Sequence, residues 1–190
     1  MKELIDRIRK QGKVLDHGIL KVDGFINHQV DPALMDLCGR ELARRFAKVG
    51  ATKVLTAEIS GIAPALTTAL HMGLPVVYAR KTKPITMPDT VLLTVAPSHT
   101  KGMMVELIVS PEFLGKGERI LIIDDFLATG STIWGLVRLA QTAGASIVGI
   151  GTLIEKAFEG GRMSLAPLDV QVEALAVIQS MENGKLVFNE

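Results

Sequence analysis

The stretch ILIIDDFLATGST, Ile120 to Thr132, decides how this chain is read. Four aliphatic residues run into Asp124 and Asp125. A turn of Ala128, Thr129, Gly130, Ser131 and Thr132 then enters the helical pattern STIWGLVRLAQTAGA. An aliphatic run without polar alternation marks a strand covered on both faces, as in a parallel sheet. Acids at its end are costly unless they are hydrogen-bonded or put to use. In open α/β sheets ligands bind outside the carboxyl ends of the strands, so these acids stand where a ligand would lie. The turn offers backbone donors, three hydroxyls and the positive end of a helix, a set that can enclose a terminal phosphate. Two carboxylates close by can accept hydrogen bonds from vicinal hydroxyls or face a cation. Phosphate at one end and diol at the other describe a ribose 5-phosphate.

Working outward, the same cadence recurs. KVLTAE, LPVVYARK, SIVGIGTLIEK and VQVEALAVI read as further strands rich in Val, Ile and Leu. Between them, KELIDRIRKQG is a helix stopping at Gly12, and APALTTALHMG is one closed by Gly73. PALMDLCGRELARRFAKVG has Asp31 before it as N-cap, Pro32 in its first turn and Gly50 past its end. Thr82 to Gly117 reads as a loop and a hairpin with arms TVLLTVA and MMVELIVS. Alternating strands and helices predict an α/β fold around a parallel sheet. At 190 residues the chain fits one domain.

Composition narrows the function classes. No apolar run approaches the roughly 20 residues that span a bilayer, and MKELIDRIRKQGK lacks the features of a signal peptide. A cytoplasmic protein without membrane contact is the expectation. Net charge is +1 and aromatics are 4%, which disfavours nucleic acid as a partner. The single cysteine, Cys38, is expected to be a small buried apolar residue. His17, His28, His71 and His99 are scattered and suggest no catalytic triad. Acids also end the Walker-B strand of P-loop nucleotidases, but that reading requires a G-x-x-x-x-G-K-[ST] loop, which is missing here.

Two more strand ends belong with the first. In AEISGIAP, Glu58, Ile59, Ser60 and Gly61 form a tight strand-to-helix turn that suits an anion, with Gly61 expected to let a bound group approach closely. In ARKTKP, Arg80, Lys81 and Lys83 leave a strand expected to end at the same edge, which favours a polyanion there. Lys156 ends another apolar strand, again at the ligand edge. Thr82 to Gly102, with three prolines, is expected to include a mobile cover that excludes water.

The stretch from Ile120 resembles the phosphoribosyl-pyrophosphate signature of the type I phosphoribosyltransferases. ILKVDGFINHQVDP, SGIAPA, PVVYARK and GIGTLIEKAF are similar, in register over nearly the whole chain, to the bacterial members that use xanthine. The resemblance implies a central mostly parallel sheet flanked by helices. A small hood, about residues 1–36 plus the C-terminal segment, would cover a core of about 37–178. It implies transfer of a 5-phosphoribosyl group from phosphoribosyl pyrophosphate to a purine base, xanthine, releasing diphosphate in purine salvage. Residues Ala128, Thr129, Gly130, Ser131 and Thr132 would hold the 5′-phosphate, and Asp124 and Asp125 would be the catalytic acids beneath the ribose. Ser60, Gly61, Arg80 and Lys81 would meet pyrophosphate, and Leu20, Asn27 and Lys156 the base. Mg2+ would arrive with the donor, held mainly by diphosphate and ribose; no direct protein ligand is expected beyond Asp124 or Asp125 as candidates. A homodimer is implied as well. A guanine or hypoxanthine enzyme stays open as an alternative. So does a regulator that senses phosphoribosyl pyrophosphate, although the near-neutral charge argues against nucleic-acid binding.

Overall fold

The computed structural model describes residues 1–15, 18–97, 104–182 and 184–189. His17, His99 and the last part of the expected cover, residues 98–102, lie outside them. Helix α1 (Lys2–Gln11) leads into a short hairpin, β1 (Lys13–Leu15) and β2 (Ile19–Lys21), and then a π-helical turn at Asp23–Asn27. The middle of the chain runs α2 (Pro32–Arg45), β3 (Lys53–Ala57), α3 (Ile62–Met72) and β4 (Val76–Ala79). A second hairpin follows, β5 (Leu92–Pro97) and β6 (Met104–Val109). The rest comprises β7 (Arg119–Leu127), α4 (Ser131–Thr142), β8 (Ser146–Lys156), a five-residue helix α5 (Gly161–Leu165), β9 (Gln171–Ser180) and β10 (Val187–Phe188).

Local chemistry explains several boundaries. The Asp31 carboxylate accepts from the amides of Ala33 and Leu34, both at 3.1 Å, and starts α2 as its N-cap. Those bonds, with Arg7 at 2.7 Å, hold the Asp31 carboxyl below the usual range. Gly73 closes α3 in the left-handed conformation at φ +66. Helix α2, by contrast, stops at Arg45 rather than near Gly50, because Phe46 turns into the core as its C-cap and is fully buried.

The main sheet has the order β10-β9-β8-β7-β3-β4, parallel throughout except for β10 at the edge. Successive residues of β7 serve opposite faces. Leu121 and Ile123 pack beneath α1, α2 and α3, among Leu4, Ile8, Met35, Cys38 and Leu42. Ile120 and Ile122 pack beneath α4 and the β5–β6 hairpin, among Leu136, Val137 and Leu107. Burial pushes the Cys38 thiol up to about 12, so it is an apolar filler as expected. Among the described residues no helix is long and apolar enough to cross a membrane. The sheet delivers the carboxyl ends of β3, β7 and β8 to one edge, where the candidate residues collect.

Candidate active site

Strand β7 does not end at the acids. It runs on to Leu127, with Asp124 opposite Thr152 and Phe126 opposite Ile154 of β8. Both acids therefore sit inside the sheet, 6% and 8% exposed. Asp124 Oδ1 accepts from the Asp125 amide at 3.0 Å. Burial, followed by the charge of Asp125, pushes the Asp124 carboxyl well above its ordinary range, and Lys81 pulls weakly the other way. A ligand bearing donors or positive charge would relieve this pair.

Beyond Leu127 the chain turns at Gly130, which takes φ +85 and caps α4 without any side-chain acceptor. The Ser131 amide reaches the Thr129 hydroxyl only at 3.4 Å, so the start of this twelve-residue helix, with its dipole, can receive an anion. The hydroxyls of Thr129 and Ser131 lie 2.9 Å apart on the same rim. This turn and both acids line one cleft of about 510 Å3, and Ser60, Leu20, Asn27 and Lys156 line it too. Lys81 stands in a smaller adjoining recess of about 150 Å3, which shares Ser60, Asp124, Asp125 and Thr132 with the large cleft.

Lys156, which also lines the cleft, is 5% exposed. Its ammonium donates to the Gly18 carbonyl at 2.7 Å, pairs with Glu159 at 3.1 Å and lies 5.8 Å from the centre of the Phe126 ring. Asn27 reaches the cleft from the end of the π-helical turn, whose extra residue per turn is secured by the amides of His28 and Gln29 on the Asp23 carbonyl. Leu20, buried in β2, supplies apolar wall.

Two expectations need correction. Arg80 does not join the cleft. Adjacent residues leaving a strand point to opposite sides, so Lys81 faces the acids while Arg80 lines a separate groove with Tyr78 and Phe113. Its Nε is 3.5 Å from Glu58 Oε2. Gly61, too, serves a different purpose from the open approach expected of it. A Cβ there would collide with Thr56 Oγ1 and lie 2.6 Å from Asp124 Oδ1, so the missing side chain makes room for the acid itself.

Residues not singled out in the sequence also take part. Phe126 and Lys21 line the large cleft, and Pro97 brings the end of β5 over it. Glu58, already placed in the turn after β3, accepts from the Lys81 amide at 2.6 Å and so ties that turn to the segment leaving β4. Among the described residues no group of three or more His, Cys, Asp or Glu is gathered to hold a metal. The paired carboxylates are hard oxygen donors of the kind that Mg2+ accepts alongside waters and phosphate oxygens.

A family model described as phosphoribosyl transferase domain matches residues 31–168. The chain is 50% identical to a xanthine phosphoribosyltransferase of Deinococcus deserti over 184 residues, 97% of this chain and 95% of that one. It is 47% identical to that of Levilactobacillus brevis over 188 residues, 99% of this chain and 98% of the relative. A Pseudomonas putida xanthine phosphoribosyltransferase is 45% identical over the full length of both. Among solved structures, adenine phosphoribosyltransferase from Giardia lamblia, complexed with 9-deazaadenine, superposes with TM-score 0.77 at 21% identity, covering 93% of this chain and 98% of that one. The Rhodothermus marinus adenine phosphoribosyltransferase gives 0.73 at 25% identity, covering 94% and 100%.

Proposed function

Because this chain belongs to the phosphoribosyltransferase family, we propose that it transfers the 5-phosphoribosyl group of phosphoribosyl pyrophosphate to xanthine, giving XMP and diphosphate in purine salvage. The observation that carries this reading is full-length identity of 45–50% to xanthine phosphoribosyltransferases, shared by a chain whose acids, turn and lysine meet in one cleft.

Each part of the cleft has work to do. The Ala128 to Thr132 turn takes the 5′-phosphate on amides, hydroxyls and the α4 dipole. Asp124 and Asp125 lie beneath the ribose. Cleavage at the anomeric carbon develops positive charge on the sugar, and fixed carboxylates stabilise that state more than the ground state. Departing diphosphate enters the smaller recess, beside Ser60 and Lys81. Arg80 acts behind that recess through Glu58. Asp124 or Asp125 would be the side chains to help hold Mg2+ brought in with the donor, and the ion would supply charge neutralisation for the leaving group. Xanthine lies between Leu20, Asn27 and Lys156. The Lys156 ammonium donates to an oxo group and not to an amino group, and Asn27 reads the 2-position.

Residues 1–36 and the C-terminal segment act as the hood over a core of about 37–178, in a cytoplasmic enzyme that pairs as a homodimer. Exposed Leu66, Leu70 and Ile59 on and beside α3 offer apolar surface for that pairing. Sedimentation at micromolar concentration should give twice the chain mass, and a fully active monomer would refute the dimer. The function itself is tested by initial rates of diphosphate release with xanthine, guanine, hypoxanthine and adenine. Xanthine should lead in kcat/KM by about tenfold or more, the scale of one buried hydrogen-bonding mismatch. A comparable lead for guanine would reassign the base.

A further inference from the structure

Resting on the assignment of Ala128 to Thr132 to the 5′-phosphate, we propose that Ser164 is a positioning residue for that turn, with helix α5 as its buttress. Ser164 is exposed and lies outside the cleft. Its hydroxyl is 3.1 Å from the Thr129 carbonyl and 2.8 Å from the Gly161 carbonyl, so its one proton is shared between the turn and its own helix. Two glycines mark how closely α5 and the turn meet. A Cβ on Gly130 would lie 2.8 Å from Ser164 Oγ, and one on Gly161 would run into the Ala128 carbonyl.

The buttress is itself tied down. Arg162 Nε donates to Glu155 Oε1 at 2.9 Å, and its Nη1 to the Val172 carbonyl at 2.6 Å. Glu155 belongs to β8 and is 2% exposed, so the sheet interior anchors α5. The consequence for the turn follows from peptide planarity. In a trans peptide the carbonyl of Thr129 and the amide of Gly130 point in opposite directions. Holding the carbonyl outward on Ser164 aims the Gly130 N–H toward the phosphate side. Gly130 sits at φ +85, a conformation from which a glycine-flanked peptide can flip at little cost. Ser164 supplies the restraint that glycine lacks.

Ser164→Ala and Ser164→Thr, made in the full chain, test this. For Ser164→Ala, KM for phosphoribosyl pyrophosphate and the calorimetric Kd of ribose 5-phosphate should each rise about three- to tenfold, the effect of one hydrogen bond. KM for xanthine and Tm should stay at wild-type values, and Ser164→Thr should restore phosphate-ligand affinity. The proposal falls if Ser164→Ala binds ribose 5-phosphate as tightly as wild type. It also falls if affinity for base and phosphate ligand drop together with Tm and threonine fails to rescue. If the wild-type protein itself does not bind ribose 5-phosphate, the assignment of the turn fails, which is a separate outcome.

Discussion

At the scale of single residues, the acids carry opposite obligations to stability and to the catalysis proposed for them. Asp124 is buried beside Asp125, and its carboxyl holds its proton to higher pH than in an unfolded chain. As pH rises from the ordinary carboxylate range through that raised value, the unfolded chain loses the proton first, so folding stability falls across this window and stays reduced above it. Asp124→Asn keeps an acceptor for the Asp125 amide and removes the buried charge. Without ligand, the variant should therefore melt above wild type at neutral pH and lose the slope across the window. Asp125→Asn relieves the same repulsion from the other side. Turnover should fall in both by about 10²-fold or more, with smaller losses in donor binding, because the charge matters most as the sugar turns cationic. Thermal melts over pH and single-turnover rates check the pair. Unchanged turnover in either variant would remove the electrostatic role. This pair was legible in the sequence because its meaning is local, acids at the end of an aliphatic run. That Arg80 turns away while Lys81 faces in depends on side-chain alternation past the end of β4, which the cluster of cations in ARKTKP does not reveal.

At the scale of elements, the signals that proved readable were those that a segment carries by itself. Asp31 announces α2, Gly73 ends α3, and the arms of the β5–β6 hairpin follow their β-rich pattern. The segments that went unread are short and held by distant partners. Helix α5 has five residues and depends on Glu155 and the Thr129 carbonyl, while the β1–β2 hairpin is held at its tip by Lys156. The α3 entry shows why spacing alone was ambiguous there. Gly61 has an ordinary helical φ of −69, so its need for glycine is purely steric, set by Thr56 and Asp124 from other strands. Gly61→Ala should destabilise the protein by about 1–3 kcal/mol, the usual cost of overpacking. It should also reduce turnover, because the methyl group displaces the Asp124 carboxylate. Denaturant melts together with kcat would show both effects, and a variant of wild-type stability and rate would show that the niche is roomier than described.

At the scale of the whole molecule, one mostly parallel sheet brings the ends of β3, β7 and β8 to a common edge, and the N-terminal segment contributes Leu20 and Asn27 to the cleft there. The fold class and most of the cleft were readable from the order of apolar runs and the residues at their ends. The partners that fix each side chain were not, since Lys156 with Gly18 and Glu58 with Lys81 join positions far apart in the chain. All of this converges on one placement of the donor. A crystal structure with phosphoribosyl pyrophosphate and Mg2+ tests it most directly. The 5′-phosphate should rest on the amides of residues 129–132, the ribose hydroxyls on Asp124 and Asp125, and the diphosphate beside Ser60 and Lys81. A sugar lodged away from these acids, for example in the groove of Tyr78 and Phe113, would contradict the account.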